Sequence, residues 1–257
     1  MITARQNDWI KLTVRLLSSS KARREEGLFA AEGVRLCMDA LKSGAEIRLL
    51  LFTARGKEKY PEEIRQLRQK AFRAEEVDGA LFEKICDTQS PQGILCLLTL
   101  CPDTIGAVQK GKRYLGLENV QDPSNVGTIL RTAEALGMDG VFLSGDCCDV
   151  WSPKVVRGSM GAVFRLPFAD CGNMTDAVRR WTQAGIPVFA SSPGGEALVG
   201  ETDFSGGGVM LIGNEGNGLR RETIEAASLS LKIPMNGRAE SLNAAAAAAI
   251  LMYEMCT

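Results

Sequence analysis

The segment from Ile233 to Asn243, Ile-Pro-Met-Asn-Gly-Arg-Ala-Glu-Ser-Leu-Asn, runs a short apolar strand into a polar turn and then into six consecutive alanines, Ala244 to Ala249. Alanine is the best helix former and its small side chain lets another backbone approach closely, so a tightly packed helix is expected here. Backbone amides crowd where strand gives way to helix. Pro234 stops regular strand pairing, Gly237 opens backbone angles closed to other residues, and the Ser241 hydroxyl can cap the helix that runs to about Met255. A turn of this kind can cup a small ligand. Two further segments have the same layout: Leu117 to Arg131, through Gln121-Asp-Pro-Ser-Asn125, and Val209 to Leu219, through Gly213-Asn-Glu215-Gly-Asn-Gly218. Apolar strand, Gly/Asn/Pro loop and helix in succession is how α/β proteins build sites at the carboxyl ends of strands.

The same alternation extends over the whole chain. A helix is expected from Asn7 to Ser19, then a strand at Phe29-Ala-Ala, a helix from Val34 to Lys42, a buried strand at Ile47 to Thr53, a helix from Pro61 to about Phe72 and a strand at Gly93 to Thr99. These make a small α/β domain. Cys101 to Lys112 lacks periodicity and contains Pro102, Gly106 and Gly111, which places a linker there. Beyond it, strands are expected at Tyr114 to Glu118, Gly140 to Ser144, Pro187 to Ser191, Val209 to Ile212 and Leu229 to Ile233, with helices between. The division is 1–105 and 106–257, and 257 residues with 45% apolar content suffice for both cores.

Composition removes several chemistries. The chain has no histidine, so no Ser-His-Asp or Cys-His arrangement exists and no imidazole moves protons near neutral pH. Eight cysteines without a C-x-x-C, and with no histidine, argue against a metal site and read as reduced thiols. No apolar run approaches the roughly 20 residues of a membrane helix, and the N-terminus lacks a signal-peptide pattern, so a cytoplasmic protein without membrane association is expected. Residues 1–75 carry a net +6 and residues 76–257 a net −7. A basic first part joined to an acidic remainder suits a protein whose N-terminal region meets a polyanion. Solvated helix faces with a chance asymmetry give the same count.

Asn125 with Arg131 six residues on, Gly213-x-Glu215-x-x-Gly218, and Ile233-Pro-Met followed by Ser241-Leu-Asn243 resemble, in order and spacing, the three motifs of the SpoU/TrmH branch of the SPOUT RNA methyltransferases. The stretch Pro153-Lys-Val-Val-Arg-Gly-Ser-Met-Gly-Ala162 between the first two agrees. The N-terminal Arg5-Gln-Asn, Lys21-Ala-Arg-Arg and Gly27 to Arg35 are similar to the substrate-binding domain that often precedes it. The resemblance implies an N-terminal L30e-like α/β domain and a C-terminal SPOUT α/β domain, with a parallel sheet and a C-terminal trefoil knot. It implies a homodimer, and transfer of a methyl group from S-adenosylmethionine to a ribose 2′-hydroxyl of RNA, with rRNA ahead of tRNA. The cofactor would be held by backbone groups near Gly213, Ile233, Met235 and Leu242. Catalysis would fall to Asn125, Arg131, Glu215, Ser241 and Asn243. Since a free guanidinium is effectively never deprotonated, Arg131 reads as a phosphate clamp and electrostatic stabiliser. Asn125 positions substrate or the arginine, or caps its helix. Glu215 either closes a loop through backbone hydrogen bonds or holds Arg131 and Asn125. Lys21, Arg23, Arg24, Arg35, Lys154 and Arg157 are the candidate RNA contacts.

Two rival readings stand beside this one. A non-catalytic RNA-binding protein on the same scaffold is weakened by the intact motif residues. A nicotinamide oxidoreductase is opposed by Glu215, which replaces the middle glycine of a dinucleotide fingerprint and would face a pyrophosphate. The alanines at 244–246 stand where the family has a more mixed Val/Ser sequence.

Overall fold

The computed structural model describes residues 1–101 and 105–257. They form two compact units. In the first, α1 (Asp8–Ser18) starts where the Asn7 side chain accepts from the Trp9 amide, and buries Ile10, Thr13 and Leu16 at helical spacing. After α2 (Ser20–Glu26) come β1 (Leu28–Glu32), α3 (Val34–Lys42), β2 (Ile47–Phe52), α4 (Ala54–Lys59), α5 (Pro61–Lys70), β3 (Ala74–Glu76), α6 (Gly79–Ile85) and β4 (Ile94–Thr99). The sheet order is β1-β4-β2-β3, with β4 antiparallel to both neighbours and β3 parallel to β2. Five of the six residues of β2 are buried, as its continuous apolar run requires of a central strand.

The first unit also takes in Asp149–Phe164, which carry α8 (Pro153–Gly158). The Phe29 ring, 1% exposed, lies 4.4 Å from Trp151 and 6.1 Å from Phe164, centroid to centroid. Part of the expected linker, residues 102–104, lies outside the described residues.

The second unit contains β5 (Arg113–Leu117), α7 (Pro123–Ala135), β6 (Gly140–Ser144), β7 (Phe168–Gly172), α9 (Met174–Gln183), β8 (Val188–Ser191), β9 (Ala197–Leu198), β10 (Gly208–Ile212), α10 (Arg221–Ala226), β11 (Leu229–Lys232) and α11 (Ala244–Cys256). Its strands pair in parallel, in the order β7-β6-β5-β10-β8-β11-β9. Such sheets are covered on both faces, and β6 and β10 are buried along their whole length. The five expected strands are present with ends shifted by at most a residue, and β7 and β9 extend the sheet beyond them. From β5 the chain winds through β6 to β7 on one side, whereas β10 pairs with the other side of β5. The order therefore reverses between β5 and β10, and a crevice opens at their carboxyl ends, as at other topological switch points. The terminal helix α11 packs on α7 and against β5 and β10, burying Ala244, Ala245, Ala248, Leu251, Met252 and Met255.

Candidate functional site

The loop after β5 and the loop after β10 face each other across the crevice. Asp122 caps α7 by accepting from the Ser124 amide at 2.8 Å, and Pro123 occupies the first helical position, where its missing N–H costs nothing. Asn125 is therefore inside the helix and is not its cap; it is buried and its amide is spent on tertiary bonds. It donates from Nδ2 to Glu215 Oε1 at 3.0 Å and accepts on Oδ1 from Asn243 Nδ2 at 3.0 Å. Asn243 in turn caps α11, its Oδ1 accepting from the Ala245 and Ala246 amides at 2.9 and 3.3 Å. A carboxylate only accepts and a backbone N–H only donates, so the two ends fix the orientation of both asparagine amides between them.

Glu215 also accepts from the Asp122 amide at 3.1 Å and the Gln121 amide at 3.3 Å. It thus closes the β5 loop and holds Asn125 at once, but it does not reach Arg131. Burial pushes its carboxyl upward, yet the Asn125 amide and the backbone amides outweigh burial and hold it below the ordinary value. Asn214 completes the clamp, donating to Asn119 O at 2.8 Å while its Oδ1 accepts from the Gly216 and Asn217 amides. Gly213 is required by its own loop: a Cβ there would stand 2.1 Å from Gly218 C and 2.2 Å from Leu219 N.

A second anchor lies beneath. Glu118, the residue after β5, is fully buried and accepts from the Arg220 amide at 2.8 Å and the Thr223 hydroxyl at 2.7 Å, with Arg220 Nη1 at 3.5 Å. Thr223 shares a 2.7 Å hydrogen bond with Thr175. The Arg220 guanidinium also pairs with Asp146. Glu118 and Arg220 carry no motif, and only their position at a strand end and a helix start marks them in the sequence.

A cleft of about 270 Å³ is lined by the ends of β8, β10 and β11 and the start of α11. All four expected cofactor residues, Gly213, Ile233, Met235 and Leu242, line it, with Glu215 and Ser241. Ser191, Ser192 and Pro193, at the carboxyl end of β8, line it too and were findable as the end of an expected strand. The described lining residues include two carboxylates, Glu215 and Glu240, and neither lysine nor arginine.

Several expectations are corrected. Ser241 is exposed and caps nothing, because α11 begins at Ala244. Gly237 does not have a positive φ, so its freedom is not used. Arg131, on α7, is exposed and forms no hydrogen bond or ion pair among the described residues. Arg23 is not a surface cation: only 4% exposed, it donates to Leu16 O and pairs with Asp149 at 2.6 Å. Arg24 and Arg35 are exposed, as are Lys154 and Lys21, the last with Glu25 at 3.7 Å. Arg157 pairs with Asp87 at 2.8 Å, both half-exposed. Among the described residues there is no cluster of metal-binding side chains, and no helix is long and apolar enough to cross a membrane.

Residues 112–253 match the SpoU rRNA Methylase family and residues 7–96 the MRM3-like substrate binding domain. The chain is 33% identical over 253 residues to an uncharacterized tRNA/rRNA methyltransferase of Synechocystis sp., covering 98% of this chain and 92% of that protein. It is 30% identical to the 23S rRNA (guanosine(2553)-2'-O)-methyltransferase RlmP of Bacillus subtilis, covering 96% of this chain and 94% of the relative. The fold is similar to that of the AdoMet-bound rRNA methyltransferase from Sinorhizobium meliloti, with TM-score 0.86 and 32% identity over 99% of this chain and 96% of the other.

Proposed function

Because the chain belongs to the SpoU rRNA methylase family, we propose that it transfers the methyl group of S-adenosylmethionine to a ribose 2′-hydroxyl of RNA, ribosomal RNA ahead of transfer RNA. The observation that carries this reading is the cleft built from the second and third motifs, whose charged lining residues, among those described, are the carboxylates Glu215 and Glu240. A phosphate-bearing cofactor would meet two like charges and no cation there, whereas a ligand bearing a sulfonium and no phosphate fits.

When bound, the cofactor supplies an electrophilic methyl group. Gly213, Ile233, Met235 and Leu242 hold it, largely through backbone atoms and apolar surface. Glu215, Asn125 and Asn243 lock the two loops and the start of α11 into one geometry, so that the acceptor hydroxyl meets a preorganised site. Ser241, exposed beside the cleft, has its hydroxyl available to substrate. Arg131, exposed and without a hydrogen bond or ion pair among the described residues, binds the RNA phosphate next to the reacting ribose and stabilises charge on the hydroxyl oxygen as it loses its proton. Arg24, Arg35, Lys21 and Lys154 extend the phosphate contacts.

The proposed division is an L30e-like RNA-binding domain, 1–105, and a SPOUT domain, 106–257, with the terminal helix drawn through a trefoil knot in a cytoplasmic homodimer. Tyr253 and Ile250, 57% and 38% exposed on α11, support the dimer as an uncovered apolar face on the helix that packs on α7. The test is incubation of the 257-residue chain with labelled S-adenosylmethionine and rRNA from cells lacking it. Label at one nucleotide whose 3′ linkage resists alkali is expected. RNA binding without transfer would instead establish a non-catalytic RNA-binding protein.

A further inference from the structure

Cationic ligands need a counter-charge, and the two carboxylates of the cleft are not equivalent. Glu215 is committed: its oxygens accept from Asn125 Nδ2 and from the Asp122 and Gln121 amides. Glu240 is exposed on the turn between β11 and α11 and has no hydrogen bond or ion pair among the described residues. Arg238, two residues earlier on the same turn, does not line the cleft. Glu240 is thus the uncommitted negative charge facing the cavity. It immediately precedes Ser241 and stands three residues before Asn243, which bonds Asn125. Glu240, Ser241 and Leu242 line the cleft together, so the carboxylate stands on the same stretch of turn as the side chains assigned to the methyl donor and its acceptor.

Resting on the methyl-donor reading above, we propose that Glu240 is the charge-selecting residue of the cleft: its carboxylate reads the sulfonium, and so distinguishes S-adenosylmethionine from the neutral thioether product, S-adenosylhomocysteine. Methyl transfer removes the positive charge from sulfur, so this contact exists for the donor and disappears for the product. Glu240 thereby favours exchange of product for fresh donor. Across water a pair of unit charges at contact distance gives about a five-fold preference, one that salt screens.

Calorimetry on the full chain, with donor and product titrated separately into wild type, Glu240→Gln and Glu240→Asp, tests this. Glu240 is exposed and has no hydrogen bond or ion pair among the described residues, so neither variant removes a bond that holds the fold. The expected result is that Glu240→Gln lowers the ratio of product to donor dissociation constants about five-fold, while Glu240→Asp keeps most of it. Raising salt should lower the ratio in wild type and leave it flat in Glu240→Gln. An unchanged ratio would overturn the assignment, as would equal weakening of both ligands, which would mean that Glu240 meets the amino group they share. Failure of wild type to bind S-adenosylmethionine at all would remove the methyl-donor reading, and the role of Glu240 with it.

Discussion

Asn243 donates its side-chain amide to Asn125 Oδ1 at 3.0 Å across 118 residues of sequence, while its own Oδ1 caps α11. One residue therefore starts the terminal helix and ties it to the first motif loop. Replacing Asn243 with alanine should cost roughly 1–2 kcal/mol, combining a lost cap with a lost side-chain hydrogen bond. A double-mutant cycle with Asn125→Ala, read by urea denaturation, should return a coupling of about 1 kcal/mol. Strict additivity would mean that the two amides do not act together.

Gly213→Ala should weaken S-adenosylmethionine binding more than ten-fold, because the added Cβ would collide with backbone at Gly218 and Leu219, which cannot swing aside like a side-chain tip. Gly216→Ala is the control: its Cβ would meet only Asn214 Oδ1, at 3.6 Å. Calorimetry on both variants should separate them. Equal affinities would show that the loop relaxes at no cost.

The parts of the fold legible in the sequence are those whose burial writes a pattern. Strands β5, β6 and β10 are apolar runs because both faces of a parallel sheet are covered. Strand β7, Phe-Ala-Asp-Cys-Gly, has polar residues at its exposed end, and β9 is two residues long, so neither leaves such a run. In the site, Asn125, Glu215 and Asn243 were legible as polar motif residues at fixed spacing. The partners of Glu118 were not, since Arg220 is 102 residues away and nothing local marks the pair. Arg23 misled for the same reason: within Lys-Ala-Arg-Arg it looks like its exposed neighbour Arg24, and its partner Asp149 is 126 residues distant. Ser241 and Asn243 are both cap residues by type. A helix starting from Ser241 would have to absorb Leu242, which lines the cleft instead.

Glu215 gives the site an acid limit. Its folded carboxyl lies below the ordinary value, so its ionised form contributes stability that is complete above the unfolded value, about 4.3, and is lost as pH falls through the folded one. The stability difference between wild type and Glu215→Gln should be flat above about pH 5 and shrink below about pH 4. Denaturation midpoints across that range measure it. A difference that grew on acidification would reverse the sign and show the carboxyl to be raised.

A fragment beginning at Lys110 keeps the cleft but strands Asp149–Phe164, whose packing partners Arg23 and Phe29 it lacks. Trypsin should cut this fragment rapidly after Lys154 and Arg157 and spare both sites in the full chain. S-adenosylmethionine affinity should survive within a few-fold while RNA affinity falls. Equal protection in the two proteins would show that the segment holds its structure without the first unit.

Arg131 lies on α7 within the first motif, yet it is exposed and bonds nothing among the described residues. A structural arginine has partners, and removing it lowers stability. Arg131→Ala should instead leave the denaturation midpoint and S-adenosylmethionine affinity nearly unchanged, while lowering single-turnover methylation at saturating RNA by roughly 10²-fold or more. Arg131→Lys separates the two ways a cation can act. Lysine keeps the charge without the planar fork, so a clamp needing two parallel N–H contacts to phosphate fails in both variants, whereas simple neutralisation is largely restored by lysine. Near-wild-type turnover in the alanine variant would remove Arg131 from the chemical step.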